Sequence, residues 1–92
     1  MPVEIEIFTS PGCGKCGRAG EVLRHIAQDM GEQHIRWREV NILDELDHAV
    51  ALGVLAAPAI AIDGELVFTT LPSARRLREA LQDRLAQARA YR

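Results

Sequence analysis

The 92-residue chain reads as a single α/β domain spanning residues 1–92, in the order βαβαββα, with a four-stranded mixed sheet and helices on both faces. Three observations predict this. A period-two run from Val3 to Phe8 gives way to a turn cluster and then to apolar residues spaced three and four apart, which is a strand passing into a helix. Asp63-Gly64 separates two short apolar runs, a strong hairpin signal. Residues 73–92 return to helical spacing.

In the first strand Val3, Ile5 and Ile7 alternate with Glu4 and Glu6, so one face is buried. Thr9-Ser10-Pro11-Gly12 breaks the strand, and from Cys16 the positions Ala19, Val22, Leu23, Ile26, Ala27 and Met30 form one helical stripe. Gly31 is placed to end that helix. A β-rich run follows from Ile35 to Asn41, with Trp37 and Val40 among poorer alternation. Asp44-Glu45 offers an acidic helix start, Leu46, Ala49 and Val50 make a short stripe, and Gly53 supplies the stop. Ala59 to Ile62 and Glu65 to Phe68 flank the hairpin turn. Ser73 can cap a last helix whose apolar side is Ala74, Leu77, Leu81, Leu85 and Ala88. A βαβ start makes the first two strands parallel, and the closing hairpin adds antiparallel ones.

Composition narrows the function. With 48 % hydrophobic residues the chain is not disordered, and no run approaches the roughly 18 apolar residues of a membrane span. The start, Met-Pro-Val-Glu-Ile-Glu, lacks a basic n-region, so a cytoplasmic location is expected. A net charge of −2 argues against nucleic-acid binding. Residues 1–72 carry five basic and eleven acidic groups, whereas residues 73–92 carry six arginines against Glu79 and Asp83. Arginines spread along a terminal helix are expected to be its solvated face.

Both cysteines and the only lysine fall within Cys13-Gly14-Lys15-Cys16. A helix N-terminus carries partial positive charge, which favours a thiolate at Cys13, and Lys15 adds a full charge nearby. Gly12 and Gly14 leave the flanks open for a partner to approach. Cys13 is therefore the expected attacker, and Cys16, one turn further in and toward the core, the resolver. Spacing alone leaves other uses of the pair open. A permanent disulfide would close too short a loop to constrain the unfolded chain much. A metal site needs about four ligands, and His25, His34 and His48 lack close spacing to the pair, so metal or iron–sulfur binding would need two chains.

The strand, the CxxC at the helix start, and Leu52-Gly53-Val54-Leu55-Ala56-Ala57-Pro58-Ala59-Ile60 followed by a hairpin and a terminal helix together resemble the thioredoxin/glutaredoxin superfamily over nearly the whole chain. The length is similar to that of its short prokaryotic thioredoxin-like and glutaredoxin-like members. The resemblance implies a thioredoxin-like fold, a cis Ala57–Pro58 bond lying against the cysteine pair, and an Ala57 backbone free to pair with an extended segment of a substrate protein. It further implies reduction of protein disulfides with no cofactor beyond the redox-active Cys13–Cys16 disulfide. The implied partners are disulfide-containing proteins and a thioredoxin-reductase-like electron donor, with no nucleic acid, no membrane and a monomeric chain.

The departures matter. Pro11-Gly12 replaces the tryptophan that usually precedes the first cysteine, and Gly-Lys stands where the thioredoxin pattern has Gly-Pro. Ile7 occupies the place, six residues before Cys13, where a buried acid usually serves the resolving thiol. Glu6, water or Lys15 are then the candidates for that proton route. Leu71-Pro72-Ser73 replaces the Gly-Gly-acid pattern of glutaredoxins, which disfavours the alternative of a glutathione-linked activity.

Overall fold

The computed structural model describes residues 2–90, with side chains through residue 87. Its elements are β1 (Val3–Thr9), α1 (Cys16–Met30), β2 (Ile35–Asn41), α2 (Leu46–Leu52), β3 (Ala59–Ile62), β4 (Glu65–Phe68) and α3 (Ala74–Ala90). The strands form one sheet in the order β2-β1-β3-β4. β1 runs parallel to β2, from Val3 opposite Ile35 to Thr9 opposite Asn41, and antiparallel to β3, from Ile5 opposite Ile62 to Phe8 opposite Ala59. Asp63 (φ 51°) and Gly64 (φ 79°) both hold the positive φ of a tight hairpin turn. Asp63 also ties that turn to β1. Its N–H donates to the Glu4 carbonyl (2.7 Å), and its Oδ1 accepts from the Glu4 N–H (2.9 Å).

The period of two on β1 sends its residues to two different layers. Val3, Ile5 and Ile7 pack with Ala19, Leu23, Ile26 and Ala27 of α1 and with Leu77 and Leu81 of α3. Trp37 lies half-buried against that cluster. On the opposite face Phe8 packs with Val40, Ala49, Val54, Ala59 and Ala61, under α2. Among the described residues no helix is long and apolar enough to cross a membrane.

Two helical stripes differ from the sequence reading. In α2 only Ala49 of the expected three is buried, while Leu46 and Val50 are 53 % and 66 % exposed. A seven-residue helix seated over Ala59 and Ala61 brings only Ala49, with Leu52 partly covered beside it, to the sheet. In α3 Leu77 and Leu81 are buried and Leu85 partly so, but Ala74, at the first position of the helix, is exposed; the Ala88 side chain lies outside the described residues. Ser73 does cap α3, its Oγ accepting from the Arg76 N–H at 3.2 Å. Three of the four described arginines of α3 form surface pairs: Arg75 with Glu79, Arg78 with Asp29 and Arg84 with Glu65. Exposed pairs of this kind contribute about 0.2–1 kcal/mol each, as a solvated face would. Arg89 and Arg92 fall outside the residues whose side chains are described.

One buried position in α1 has no side chain at all. A Cβ at Gly20 would stand 2.7 Å from Oε1 of Glu39 on β2. A glycine inside a helix costs about 0.5–1 kcal/mol relative to alanine, and here it leaves room for the end of the exposed Glu39 side chain, which a Cβ would push aside.

Leu23→Ala removes a fully buried side chain from between α1 and the sheet. The unfolding free energy should fall by about 2–5 kcal/mol, read from urea titrations by Trp37 fluorescence. A loss below about 1 kcal/mol would mean that α1 does not close this core.

Candidate active site

The site begins where β1 ends. The Cys13 N–H donates to the Ser10 carbonyl at 3.2 Å, closing a turn with Pro11 second and Gly12 third. Gly12 has φ 76°, the conformation a type II turn requires there, so Pro11-Gly12 is explained by the bend. Cys16 is the first residue of α1 and Lys15 its N-cap, without a side-chain capping bond. Cys13 thus stands in the turn ahead of the helix, and Cys16 opens the helix rather than lying one turn inside it. The unpaired N–H groups of the first turn remain on the side from which Cys13 enters.

The two Sγ atoms are bonded at 2.06 Å, with the Cα atoms 5.5 Å apart. Their exposure is unequal. Cys16 is 7 % exposed and Cys13 half-buried, while Gly14 and Lys15 are exposed. A Cβ at Gly12 or Gly14 would meet nothing within 4 Å, so both flanks are open. The Ala57–Pro58 peptide bond is cis. Because Ala59 pairs with Phe8, Pro58 enters the sheet level with Thr9, at the same end as the Ser10–Cys13 turn. Pro58 is buried and Ala57 half-buried, and Leu55 just before them is 98 % exposed.

Glu6 is engaged elsewhere. Its Oε2 accepts from Arg38 Nη2 at 2.8 Å and lies 2.7 Å from His48 Nε2, on the α2 face of the sheet. Arg38 also binds Glu45 at 3.1 Å. Hydrogen bonding to Glu45, with a smaller contribution from Glu6, holds the Arg38 guanidinium above the usual arginine range. Since α1 and its cysteine pack on the other face, Glu6 is removed from the proton route considered for Cys16. The Glu6–Arg38–Glu45–His48 cluster itself escaped the sequence reading. The alternation of β1 shows which way Glu6 points, but its partners depend on an inter-strand register that one sequence does not contain. His25 and His34 are exposed, and among the described residues no three His, Cys, Asp or Glu side chains converge as metal ligands.

A cysteine pair on the strand-to-helix turn, with a cis-proline at the same end of a mixed four-stranded sheet, defines a thioredoxin-fold dithiol protein. A Thioredoxin domain family model matches residues 3–82. The chain is 38 % identical over 85 residues to the Probable Thioredoxin of Methanothermobacter thermautotrophicus, covering 92 % of this chain and 99 % of that one. It is 34 % identical over 83 residues to the Thioredoxin of Methanocaldococcus jannaschii, covering 90 % and 96 %. Among solved structures a mutant thioredoxin from Halobacterium salinarum NRC-1 superposes with a TM-score of 0.74 at 21 % identity, over 88 % of this chain and 73 % of that one. Chloroplastic thioredoxin z gives 0.74 at 18 % identity, over 89 % and 77 %. At such identities the two structures show the fold alone. The chain belongs to the thioredoxin family, and it is a thiol–disulfide oxidoreductase.

The unequal burial of the two sulfurs has a direct readout. In the reduced protein, iodoacetamide should alkylate the remaining thiol of Cys16→Ser at least about tenfold faster than that of Cys13→Ser, since reactivity follows access and thiolate character. Equal rates by mass spectrometry would contradict the assignment of Cys13 as the accessible thiol.

Proposed function

We propose that the protein reduces disulfides of other proteins, with Cys13 as nucleophile and Cys16 as resolving thiol. The observation that carries this reading is the asymmetry of the pair: Cys16 is almost covered, whereas Cys13 sits in an open turn between two glycines with unobstructed flanks. The Cys13 thiolate attacks one sulfur of the substrate disulfide, and the other sulfur leaves as a thiolate that takes up a proton. Cys16, as thiolate, then attacks Cys13 in the mixed disulfide. The substrate's second sulfur is released and the Cys13–Cys16 bond closes. Two electrons have passed to the substrate, and the two sulfurs carry both of them without a bound cofactor.

Ala57 and Pro58, at the same end of the sheet, would take the backbone of an extended substrate segment beside Gly12 and Gly14. The oxidised pair is returned to the dithiol by a separate dithiol enzyme of the thioredoxin-reductase type, in the cytoplasm. Leu71-Pro72-Ser73 offers none of the backbone-binding pattern of glutathione enzymes, which supports a protein donor.

With dithiothreitol as reductant, wild type should accelerate insulin reduction, Cys13→Ser should be inactive, and Cys16→Ser should trap a mixed disulfide. Wild type no faster than the double-serine chain would refute the reading. Glutathione alone recycling the wild type rapidly would transfer the activity to the glutaredoxin class.

Lys15 belongs to the same reading. A full positive charge beside Cys13 favours its thiolate, stabilises the reduced pair and makes it more oxidising. Lys15→Gln should therefore shift the reduction potential to more negative values. An unchanged or less negative potential, measured against a glutathione redox buffer, would remove Lys15 from the mechanism.

A further inference from the structure

We propose that Glu39 is the proton acceptor for the Cys16 thiol in the second half of the reaction, a role that rests on the disulfide-reductase reading above. A thiol attacks as its thiolate, and one that is 7 % exposed gives up its proton only to a base within reach. β1 supplies none on the α1 face, where it presents Val3, Ile5 and Ile7. Glu6 points to the opposite face and is bound by Arg38 and His48.

β2 does supply one. Glu39 lies beside Ile7 in the parallel register and therefore on the same face of the sheet. Its Oε1 stands 2.7 Å from the position a Cβ of Gly20 would take. Cys16 and Gly20 are four residues apart on one face of α1, where neighbouring Cβ positions are separated by about 5–6 Å. The Cα–Cβ direction in a helix tilts toward the N-terminus, so the space left empty at Gly20 lies over the turn that holds Cys16. Oε1 is then within about 9 Å of the Cys16 Cβ, a gap that one or two water molecules span. Glu39 is exposed, so its carboxylate exchanges protons with bulk solvent on its outer side.

Few charges compete for it. From β1 it is faced by Ile7, and its neighbours on the same face of β2, Trp37 and Asn41, are uncharged. The charged residues of α1 around Gly20 are Arg18, Glu21 and Arg24, all exposed, and among the described residues none is recorded in an ion pair with Glu39.

The step balances as follows. The Glu39 carboxylate takes the proton from Cys16 Sγ through solvent. Cys16 Sγ bonds to Cys13 Sγ, the bond between Cys13 and the substrate sulfur breaks, and that sulfur leaves with the electron pair. The leaving thiolate takes a proton from water or from the Glu39 carboxylic acid. When an external dithiol reduces the pair, Glu39 returns a proton to Cys16.

The test is a single turnover of pre-reduced protein with insulin across about pH 6 to about pH 9.5, a range that brackets the ordinary cysteine pKa. Wild type, Glu39→Gln, Glu39→Asp and Gly20→Ala are compared, with iodoacetamide alkylation of Cys13 as a control on the first thiol. Near neutral pH Glu39→Gln should slow product release at least about tenfold and accumulate the mixed disulfide, with Cys13 alkylation unchanged. Its deficit should close toward the alkaline end, where Cys16 ionises without assistance. Glu39→Asp should recover part of the rate, and Gly20→Ala, by displacing the carboxylate, should mimic Glu39→Gln. A Glu39→Gln chain as fast as wild type at every pH overturns the proposal, as does a deficit that persists undiminished at high pH. Failure of wild type itself to reduce insulin would instead overturn the parent reading.

Discussion

β1 is hydrogen-bonded along both edges, parallel to β2 and antiparallel to β3, so it can be covered only from above and below. Alternation then forces its residues into two layers of different character. Val3, Ile5 and Ile7 make one face apolar along the whole strand, and that face takes the two long helices. On the other face Glu4 and Glu6 precede Phe8, and only the Phe8 end can be covered by a helix. The short α2 sits there over alanines, and the rest of that face is left to Arg38, Glu6, Glu45 and His48. Partly exposed charges held in a network keep this half of the sheet hydrated and pair the Glu6 carboxylate.

The same strand delivers the chemistry. α1 is fixed by Ala19, Leu23, Ile26 and Ala27 against the apolar face, and this fixes Cys16 at its first residue. Cys13 precedes the helix in a turn whose Pro11 and Gly12 are exposed, so Cys16 is covered while Cys13 is only half-buried. The antiparallel pairing of β3 brings Pro58 to the end of β1 that carries the turn. The unequal burial of two chemically identical side chains thus follows from where a helix begins. The intervening Gly14 and Lys15 are both exposed and leave that difference intact.

The features legible in the sequence were those encoded locally. Period two in Val3–Phe8, period three-to-four from Cys16, Asp63-Gly64 and the Ser73 cap each specify their element with neighbouring residues, and all appear in the structure. α2 was legible as a helix but not in its orientation, because Leu46, Ala49 and Val50 lie close together on so short a helix. The choice of Ala49 as the inward residue comes from the alanines of β3 beneath it. The contacts around Glu6 and Glu39 were beyond reach for a related reason. Each joins residues more than eighteen positions apart, through a strand register or a helix–strand approach that no local pattern records. Gly20 carried the one local trace, a glycine within a helical stripe, and its meaning appears only with Glu39 above it.

The placement of acid and apolar groups around Cys16 follows from the size of the chain. Ile7 is fully buried between β1 and the helical layer. An ionisable carboxyl in its place would lose its water, at a cost of several kcal/mol unless paired. A domain of this length has a thin core and a net stability of about 5–15 kcal/mol, so one such group would remove a large fraction of it. Keeping isoleucine there preserves the core, and a carboxylate reaching in from the edge strand keeps its own hydration. The expense moves to Gly20, whose missing side chain weakens α1 by about 0.5–1 kcal/mol. For a small redox domain that is the lesser cost, and it leaves the carboxylate open to bulk water on one side and to the turn of Cys16 on the other.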